Sequence, residues 1–245
     1  MNIIINGANG RMGRMLADTA AQGEEYSIAA RVSPSFYTDS AQGTYPSLRQ
    51  YDGPADVVID FSNHSGTAEL MEYCVSRNLP AVVATTAHTE EELALIRQAA
   101  EKIPVFLSAN MSIGVATLAE LAKKAAAMFP RADIEIIERH HNQKLDVPSG
   151  TALLLARRIQ EARPEAEILV GRHENGKRGG EIGVHSLRYG SEVGTHEIVI
   201  SDGMETLTLK HEAENRALFA QGALAAAAFL QGRAPGLYDM RDIVA

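Results

Sequence analysis

Between Glu138 and Ala156 the chain reads ERHHNQKLDVPSGTALLLA. Two adjacent histidines, His140 and His141, are followed by Lys144, Asp146 and then Pro148-Ser149-Gly150-Thr151 ahead of an apolar helical pattern. Imidazole titrates near neutral pH, and a positioned imidazole or ammonium donates protons to a reacting group. A hydroxyl residue at a helix start caps it, and the backbone N–H groups of the first turn attract carboxylate or phosphate. This combination predicts a site that binds an anion and moves protons. Two other uses of the same residues compete with this reading. A zinc site needs His, Cys, Asp or Glu at characteristic spacing; the chain has no H-E-x-x-H motif and a single cysteine. A solvated loop is the ordinary reading of one histidine, but two histidines, a lysine and a helix start together favour chemistry.

The histidine pair follows a strand-like run, DIEIIE, at its carboxyl end. Consecutive residues of an extended chain point to opposite sides, so the two imidazoles are expected to do different jobs. Lys144 lies in the following loop and can fold back toward one of them. Asp146 orients a cation or caps the coming helix.

A second stretch with chemical meaning opens the chain. INGANGRMGRML places Gly7, Gly10 and Gly13 between a strand and a helix, a G-x-x-G-x-x-G variant of the dinucleotide fingerprint. Glycines allow the tight turn and let backbone approach a pyrophosphate at the helix N-terminus. Arg11 adds a cation in the first turn. An acidic residue is expected about 20 residues on, to hold a ribose 2′-hydroxyl. Arg31-Val32-Ser33-Pro34-Ser35 stands there instead. An Arg with two hydroxyls suits a 2′-phosphate, so NADPH is expected to be accepted at least as well as NADH. The Tyr-x-x-x-Lys pair of short-chain dehydrogenases is absent, since none of the 7 tyrosines has a lysine four places later.

The elements that must position these residues alternate through the first half. Strands are predicted over 2–6, 26–31, 56–61, 81–85 and 105–108, with helices after the glycine turn and over 65–78 and 89–102. Continuous apolar strands separated by helices imply a parallel sheet covered on both faces. Thr89 and Glu92 have capping-box spacing. A long helix over about 113–128, the strand DIEIIE and a helix over 150–162 follow. Three alternating runs then come without helices, EIGVHSLRYG, THEIVIS and ETLTLKHEA, with a hairpin signal at Asp202-Gly203. NRALFAQGALAAAAFLQG returns to helix. The expected fold class is α/β, a Rossmann-like doubly wound parallel sheet interrupted by an α+β domain with an open mixed sheet. The dinucleotide domain is expected over 1–111 and 212–245, and the second domain over 112–211.

Bulk properties exclude several classes. A net charge of −8 disfavours non-specific nucleic-acid binding, so cations that meet an anionic ligand must be concentrated locally. No apolar run approaches the roughly 18–20 residues that span a membrane. The opening NIIINGANG has no basic stretch followed by a long apolar run, so no signal peptide is expected, and Cys74 as sole cysteine rules out an internal disulfide. A cytoplasmic location is expected, and the two N-x-S matches at Asn63 and Asn110 are read as chance.

With those residues in view, the chain resembles the dihydrodipicolinate reductases, also called 4-hydroxy-tetrahydrodipicolinate reductases, of the diaminopimelate–lysine pathway. The resemblance rests chiefly on IERHHNQKLDVPSGTA. GANGRMGR, IDFS (59–62), ATT (84–86), SANMSIGV (108–115), RYGSEVGTHEI (188–198), ENRALFAQGAL (214–224) and GLYDMRDIV extend it over nearly the whole chain. It implies an NADPH- or NADH-dependent reduction of a cyclic dicarboxylate, giving tetrahydrodipicolinate, oxidised cofactor and water. It implies His140 as general acid/base and Lys144 as proton donor. His141, Ser149, Gly150 and Thr151 would hold substrate carboxylates. Cofactor contacts would come from Gly7, Ala8, Asn9, Gly10, Arg11 and Met12, from Ala84, Thr85 and Thr86, and from Ser108, Ala109, Asn110 and Met111. The second domain would bind substrate and hold a homotetramer. Ligands on different domains imply closure about residues near 111 and 212.

Three departures stand out. Ala84 and Ala87 flank Thr85-Thr86 where the family often has glycine, Met111 replaces a frequent aromatic, and the end of the second strand lacks an acid. Two other readings share the fold. One is a different NAD(P)-dependent dehydrogenase. The other is a non-catalytic NAD(P)-binding sensor, which has no need of Lys144.

Overall fold

Ile3, Ile4 and Ile5 have no solvent exposure, which is what a strand requires when both faces of its sheet are covered. The computed structural model describes residues 1–173 and 175–245. The chain forms two compact units, Met1–Ser112 with Ala217–Ile243, and Ile113–Arg216. In chain order the first unit contains β1 (Asn2–Asn6), α1 (Arg11–Ala20), β2 (Ser27–Val32), β3 (Thr44–Tyr45), β4 (Val57–Asp60), α2 (Thr67–Ser76), β5 (Ala81–Val83), α3 (Glu90–Ala100) and β6 (Pro104–Leu107). The second contains α4 (Ile113–Met128), β7 (Asp133–His140), α5 (Gly150–Gln160), β8 (Ile168–Val170), β9 (Ile182–Arg188), β10 (Gly194–Ser201) and β11 (Thr206–Ala213). The chain then gives α6 (Ala217–Leu230), β12 (Gly236–Tyr238) and α7 (Met240–Val244).

The first unit is the doubly wound sheet. Its strands lie in the order β12-β6-β5-β4-β1-β2-β3, and every pairing is parallel. Strand order reverses between β1 and β4, so the crevice at their carboxyl ends is the place where such sheets bind ligands. Helix α3 starts on the Thr89 capping box: Glu92 N–H donates to Thr89 Oγ1 at 3.3 Å and Thr89 N–H to Glu92 Oε2 at 2.8 Å. Helix α6 packs on α1, β5 and β6; its buried face is Ala220, Ala223, Ala226 and Ala227 with Leu224 and Leu230.

The second unit carries a mixed sheet, β11-β10-β7-β9-β8. β7, β10 and β11 pair antiparallel, whereas β9 runs parallel to β7 and β8. Alternation is clear in β7, where Ile134, Ile136, Glu138 and His140 face inward and Glu135, Ile137 and Arg139 do not. The inward side packs under α4 and α5 around Leu118, Ala122, Leu155 and Ile159. The β10–β11 turn forms at Asp202-Gly203: Asp202 Oδ1 accepts the N–H groups of Met204 and Glu205 at 2.9 and 3.0 Å, and Gly203 has φ +87°.

Three boundaries differ from the sequence reading. β7 runs on to His140, because β9 pairs with it as far as His140↔Arg188. β11 ends at Ala213 as its pattern predicts, but it keeps residue 212 in the second sheet, so the chain re-enters the first unit at Ala217 rather than at 212. The short strands β3, β8 and β12 have no counterpart in the pattern, since 2 or 3 residues leave no alternation to detect. Among the described residues no helix is long and apolar enough to cross a membrane.

Gly222 marks the tightest approach of α6. A Cβ there would stand 1.6 Å from the Met111 carbonyl oxygen. Gly222→Ala is expected to cost at least about 1–3 kcal/mol, the usual penalty of overpacking. Urea denaturation at pH 7 checks this, and an unchanged midpoint would contradict the close approach.

Candidate active site

In the first unit the glycine turn joins β1 to α1 at the strand-order reversal. Gly7 has φ +80°, and a Cβ on it would meet the Phe61 carbonyl oxygen at 2.5 Å. A Cβ on Gly13 would meet the Gly7 carbonyl oxygen at 2.3 Å. Only glycine fits either position. The N–H groups of Gly7 and Ala8 both donate to Val32 O at 2.9 Å, and that of Gly10 to Gly7 O. The outer turn is therefore pinned to β2. An α-helix has no internal acceptor for its first N–H groups, which makes Arg11 and Met12 the backbone donors best placed for a pyrophosphate. A cavity of about 310 Å³ lies beside this turn, lined in part by Gly7, Gly10, Ser33, Pro34, Ser62 and Glu69. The turn and cavity together fit a dinucleotide.

Asp60 organises the floor of this region at 2 % exposure. Its carboxylate accepts Asn6 Nδ2 at 2.8 Å, Ser62 Oγ at 2.5 Å and Thr85 Oγ1 at 2.6 Å. Burial raises its pKa, and those hydrogen bonds oppose the rise. Thr85 is thus committed to Asp60, Ala84 is buried, and Thr86 and Ala109 are exposed on the loops after β5 and β6. Ala87 takes φ +67°, a conformation that favours glycine. Ser108 Oγ donates to Asn110 O at 2.8 Å, and Asn110 Oδ1 accepts Ser112 N–H at 2.8 Å. Met111 is 2 % exposed, so its side chain belongs to the packed interior. At the end of β2, Ser33 and Ser35 hydroxyls lie 3.0 Å apart; Asn9 Nδ2 donates to Ser35 Oγ and Arg14 to Asn9 Oδ1, both at 2.6 Å. The cation tied to this hydroxyl pair is Arg14.

In the second unit the strand end, the loop and the helix start come together. Glu138, with no exposure, accepts Arg188 Nη2 at 2.7 Å and Nη1 at 2.8 Å, the Ser149 N–H at 3.1 Å and His140 Nδ1 at 2.5 Å. Burial alone would raise its pKa, but these donors hold the carboxyl well below the usual range. His140 and His141 do separate, one buried and one half-buried. His141 N–H donates to Glu192 O at 2.9 Å, and Arg216 Nη2 approaches His141 Nε2 at 3.2 Å. Partial burial and the Arg216 charge lower the His141 pKa, which favours its neutral form. Lys144 Nζ lies 2.8 Å from Asp146 Oδ1, and the Asp146 carbonyl accepts Arg188 Nη2 at 2.7 Å. Asp146 therefore orients the lysine. Ser149 caps α5, accepting Ala152 N–H at 3.1 Å. Gly150 and Thr151 form the first turn, and nothing stands within 4 Å of the place a Gly150 Cβ would take. Among the described residues no group of three His, Cys, Asp or Glu is placed to hold a metal ion.

Comparison with known proteins decides the family. Residues 1–111 match the family model described as dihydrodipicolinate reductase, N-terminus, and residues 114–244 the one described as dihydrodipicolinate reductase, C-terminus. The chain belongs to the dihydrodipicolinate reductase family. It is 41 % identical to a 4-hydroxy-tetrahydrodipicolinate reductase of Caldanaerobacter subterraneus subsp. tengcongensis, over 100 % of this chain and 98 % of the relative. It is 41 % identical to the reductase of that name from Clostridium tetani, over 98 % and 95 %. The fold is similar to a dipicolinate-bound dihydrodipicolinate reductase from Paenisporosarcina sp. TG-14, with TM-score 0.85, 27 % identity and 99 % coverage of both chains. Dihydrodipicolinate reductases use NADH or NADPH, bound by the N-terminal domain.

The sequence reading gave no role to Glu138, Arg188, His196 or Arg216. Arg188 and His196 reach the site only through sheet register, which no local spacing reveals. Glu138 carries a weak signal, an acid two places before a histidine on one strand face.

Glu138 makes stability depend on pH and on Arg188. A depressed carboxyl pKa contributes stability that is complete above the unfolded value of about 4.3 and lost as pH falls through the folded value. Arg188→Met is expected to cost about 3–5 kcal/mol at pH 7, since it strands a buried carboxylate. Urea titrations of both proteins at pH 7 check this; a loss below about 1 kcal/mol would contradict it.

Proposed function

We propose that this chain reduces 4-hydroxy-2,3,4,5-tetrahydrodipicolinate to 2,3,4,5-tetrahydrodipicolinate with NADPH or NADH in diaminopimelate and lysine biosynthesis. The observation that supports the residue assignments best is the cluster at the end of β7. It puts a buried imidazole, an ammonium and a helix mouth around one small region of a chain whose net charge is −8. A dicarboxylate needs such local donors.

One substrate carboxylate is assigned to the Gly150 and Thr151 backbone at the start of α5, supported by Ser149, where the helix dipole and N–H groups favour an anion. The other is assigned to His141, with Arg216 behind it. When bound, the reduced nicotinamide supplies the hydride. Lys144 gives a proton from Nζ as hydride addition to the conjugated imine leaves negative charge on the ring. His140 acts as acid/base in the loss of water. In the first unit the Arg11 and Met12 N–H groups hold the pyrophosphate. Gly7, Ala8, Asn9 and Gly10 shape the turn, and the loops of Ala84–Thr86 and Ser108–Met111 flank the nicotinamide end. The Ser33–Ser35 hydroxyls with Arg14 suit a 2′-phosphate, so NADPH is taken at least as well as NADH. The solvent side of the second sheet, with Ile137, Leu187 and Val199 among charged residues, is assigned to a homotetramer. The enzyme is placed in the cytoplasm.

Lys144→Ala is expected to lower kcat by about 10²–10⁴-fold, the usual worth of a general acid, and to leave the Kd for NADPH within about twofold. A coupled assay with the upstream synthase product, followed by nicotinamide absorbance, measures the first; fluorescence titration measures the second. Wild-type kcat in the variant would remove Lys144 from the mechanism. A kcat/KM ratio strongly favouring NADH would overturn the 2′-phosphate assignment.

A further inference from the structure

We infer that Glu138 is a positioning residue: it fixes His140 with Nδ1 donating to its carboxylate, so that Nε2 is the nitrogen that moves protons. The inference rests on the acid–base reading of His140 and specifies the atom that does the work.

The inward face of β7 begins with Ile134 and Ile136 at 0 % exposure, then continues with Glu138 at 0 % and His140 at 7 %. Alternate strand residues share a face, so this Glu–His pair stands where further apolar residues would pack. Burying a carboxylate is costly unless donors surround it. The donors are present, and they come from three directions. Arg188 arrives through the parallel register of β9 on β7, opposite His140, and grips both oxygens. The Ser149 N–H arrives from the start of α5. The remaining donor is the ring nitrogen Nδ1 of His140, at 2.5 Å. An ionised carboxylate only accepts, so this contact requires the proton to be on Nδ1. That leaves Nε2 as the nitrogen whose protonation can change.

The rest of the pocket agrees with this orientation. On β10, Gly194 lies under the ring, and a Cβ there would stand 2.8 Å from Nε2. The missing side chain leaves space for the reactive edge. The His196 ring stacks edge-on to His140 at 5.2 Å and holds to Ser149 Oγ through Nε2 at 3.2 Å. Burial, aided by the neighbouring His140 charge, pushes the His196 pKa down to about 3. It therefore stays neutral and supports the ring without competing for its proton. The charged and titratable groups around His140 are Glu138 on β7, Arg188 on β9, His196 on β10, Glu192 in the loop before β10, and His141 and Lys144 in the loop after β7. Of these, Glu138 alone touches the ring with an acceptor oxygen. A buried carboxylate behind an imidazole fixes its tautomer and stabilises the imidazolium.

The test separates positioning from mere structure. In Glu138→Gln the kcat is expected to fall at least tenfold at pH 7.5, with the Kd for NADPH within twofold. The pH profile of kcat/KM should change with it, because the substitution removes the charge beside the imidazole while keeping the side chain's shape. An unchanged kcat and pH profile would overturn the proposal. Should the variant not fold, nitrogen-15 NMR of the wild-type chain labelled at histidine decides it. The expected neutral form carries hydrogen on Nδ1 of His140; hydrogen on Nε2 would overturn the proposal. His140→Asn tests the underlying reading by itself. Full activity there removes the acid–base reading, and the proposal falls with it. An inactive His140→Asn beside a wild-type-like Glu138→Gln overturns the positioning role alone.

Discussion

A carboxylate with no solvent exposure must find its donors inside the fold, and Glu138 finds them on three separate elements. Arg188 requires β9 to lie parallel beside β7 in one register. The Ser149 N–H requires α5 to begin where the loop from β7 returns. His140 requires the strand to stay extended for two more residues. If any of these shifted, a charge would be left buried with a missing partner, a penalty larger than most single contacts provide. The site is therefore tied to the topology of the second unit, and its geometry comes with the sheet.

The first unit answers a related problem by different means. It presents backbone rather than buried charge. Gly7 and Gly13 bring β1, α1 and the β4 end closer than any side chain allows, and the helix mouth supplies the donors. Asp60 then ties Asn6, Ser62 and Thr85 together at the strand ends. A net charge of −8 is compatible with the two anionic ligands proposed for this chain, because local N–H groups and a few cations would meet each without a basic surface.

Much of this was legible in the chain itself. The glycine turn, the Thr89–Glu92 capping box, the Asp202-Gly203 hairpin and the Ser149 cap each consist of residues close in sequence whose geometry is dictated locally. The histidine block was legible as chemistry for the same reason. What stayed hidden depends on distance along the chain. Arg188 and His196 lie some fifty positions from Glu138 and Ser149, joined only by strand register. β3 and β12 are edge strands too short to show a pattern, and they exist because a neighbouring strand offers free backbone groups. The end of β7 differs because pairing with β9, rather than apolar alternation, carries the strand past its last patterned residue. Asp146 could not be assigned from type alone; its contact with Lys144 gives it an orienting role.

The most direct test of the account follows the hydride. NADPH deuterated at both C4 positions of the nicotinamide would be supplied with the freshly made cyclic dicarboxylate, and the product examined by mass spectrometry. The account predicts tetrahydrodipicolinate carrying one deuterium, formed in step with nicotinamide oxidation. Nucleotide binding without oxidation, or product free of label, would contradict it.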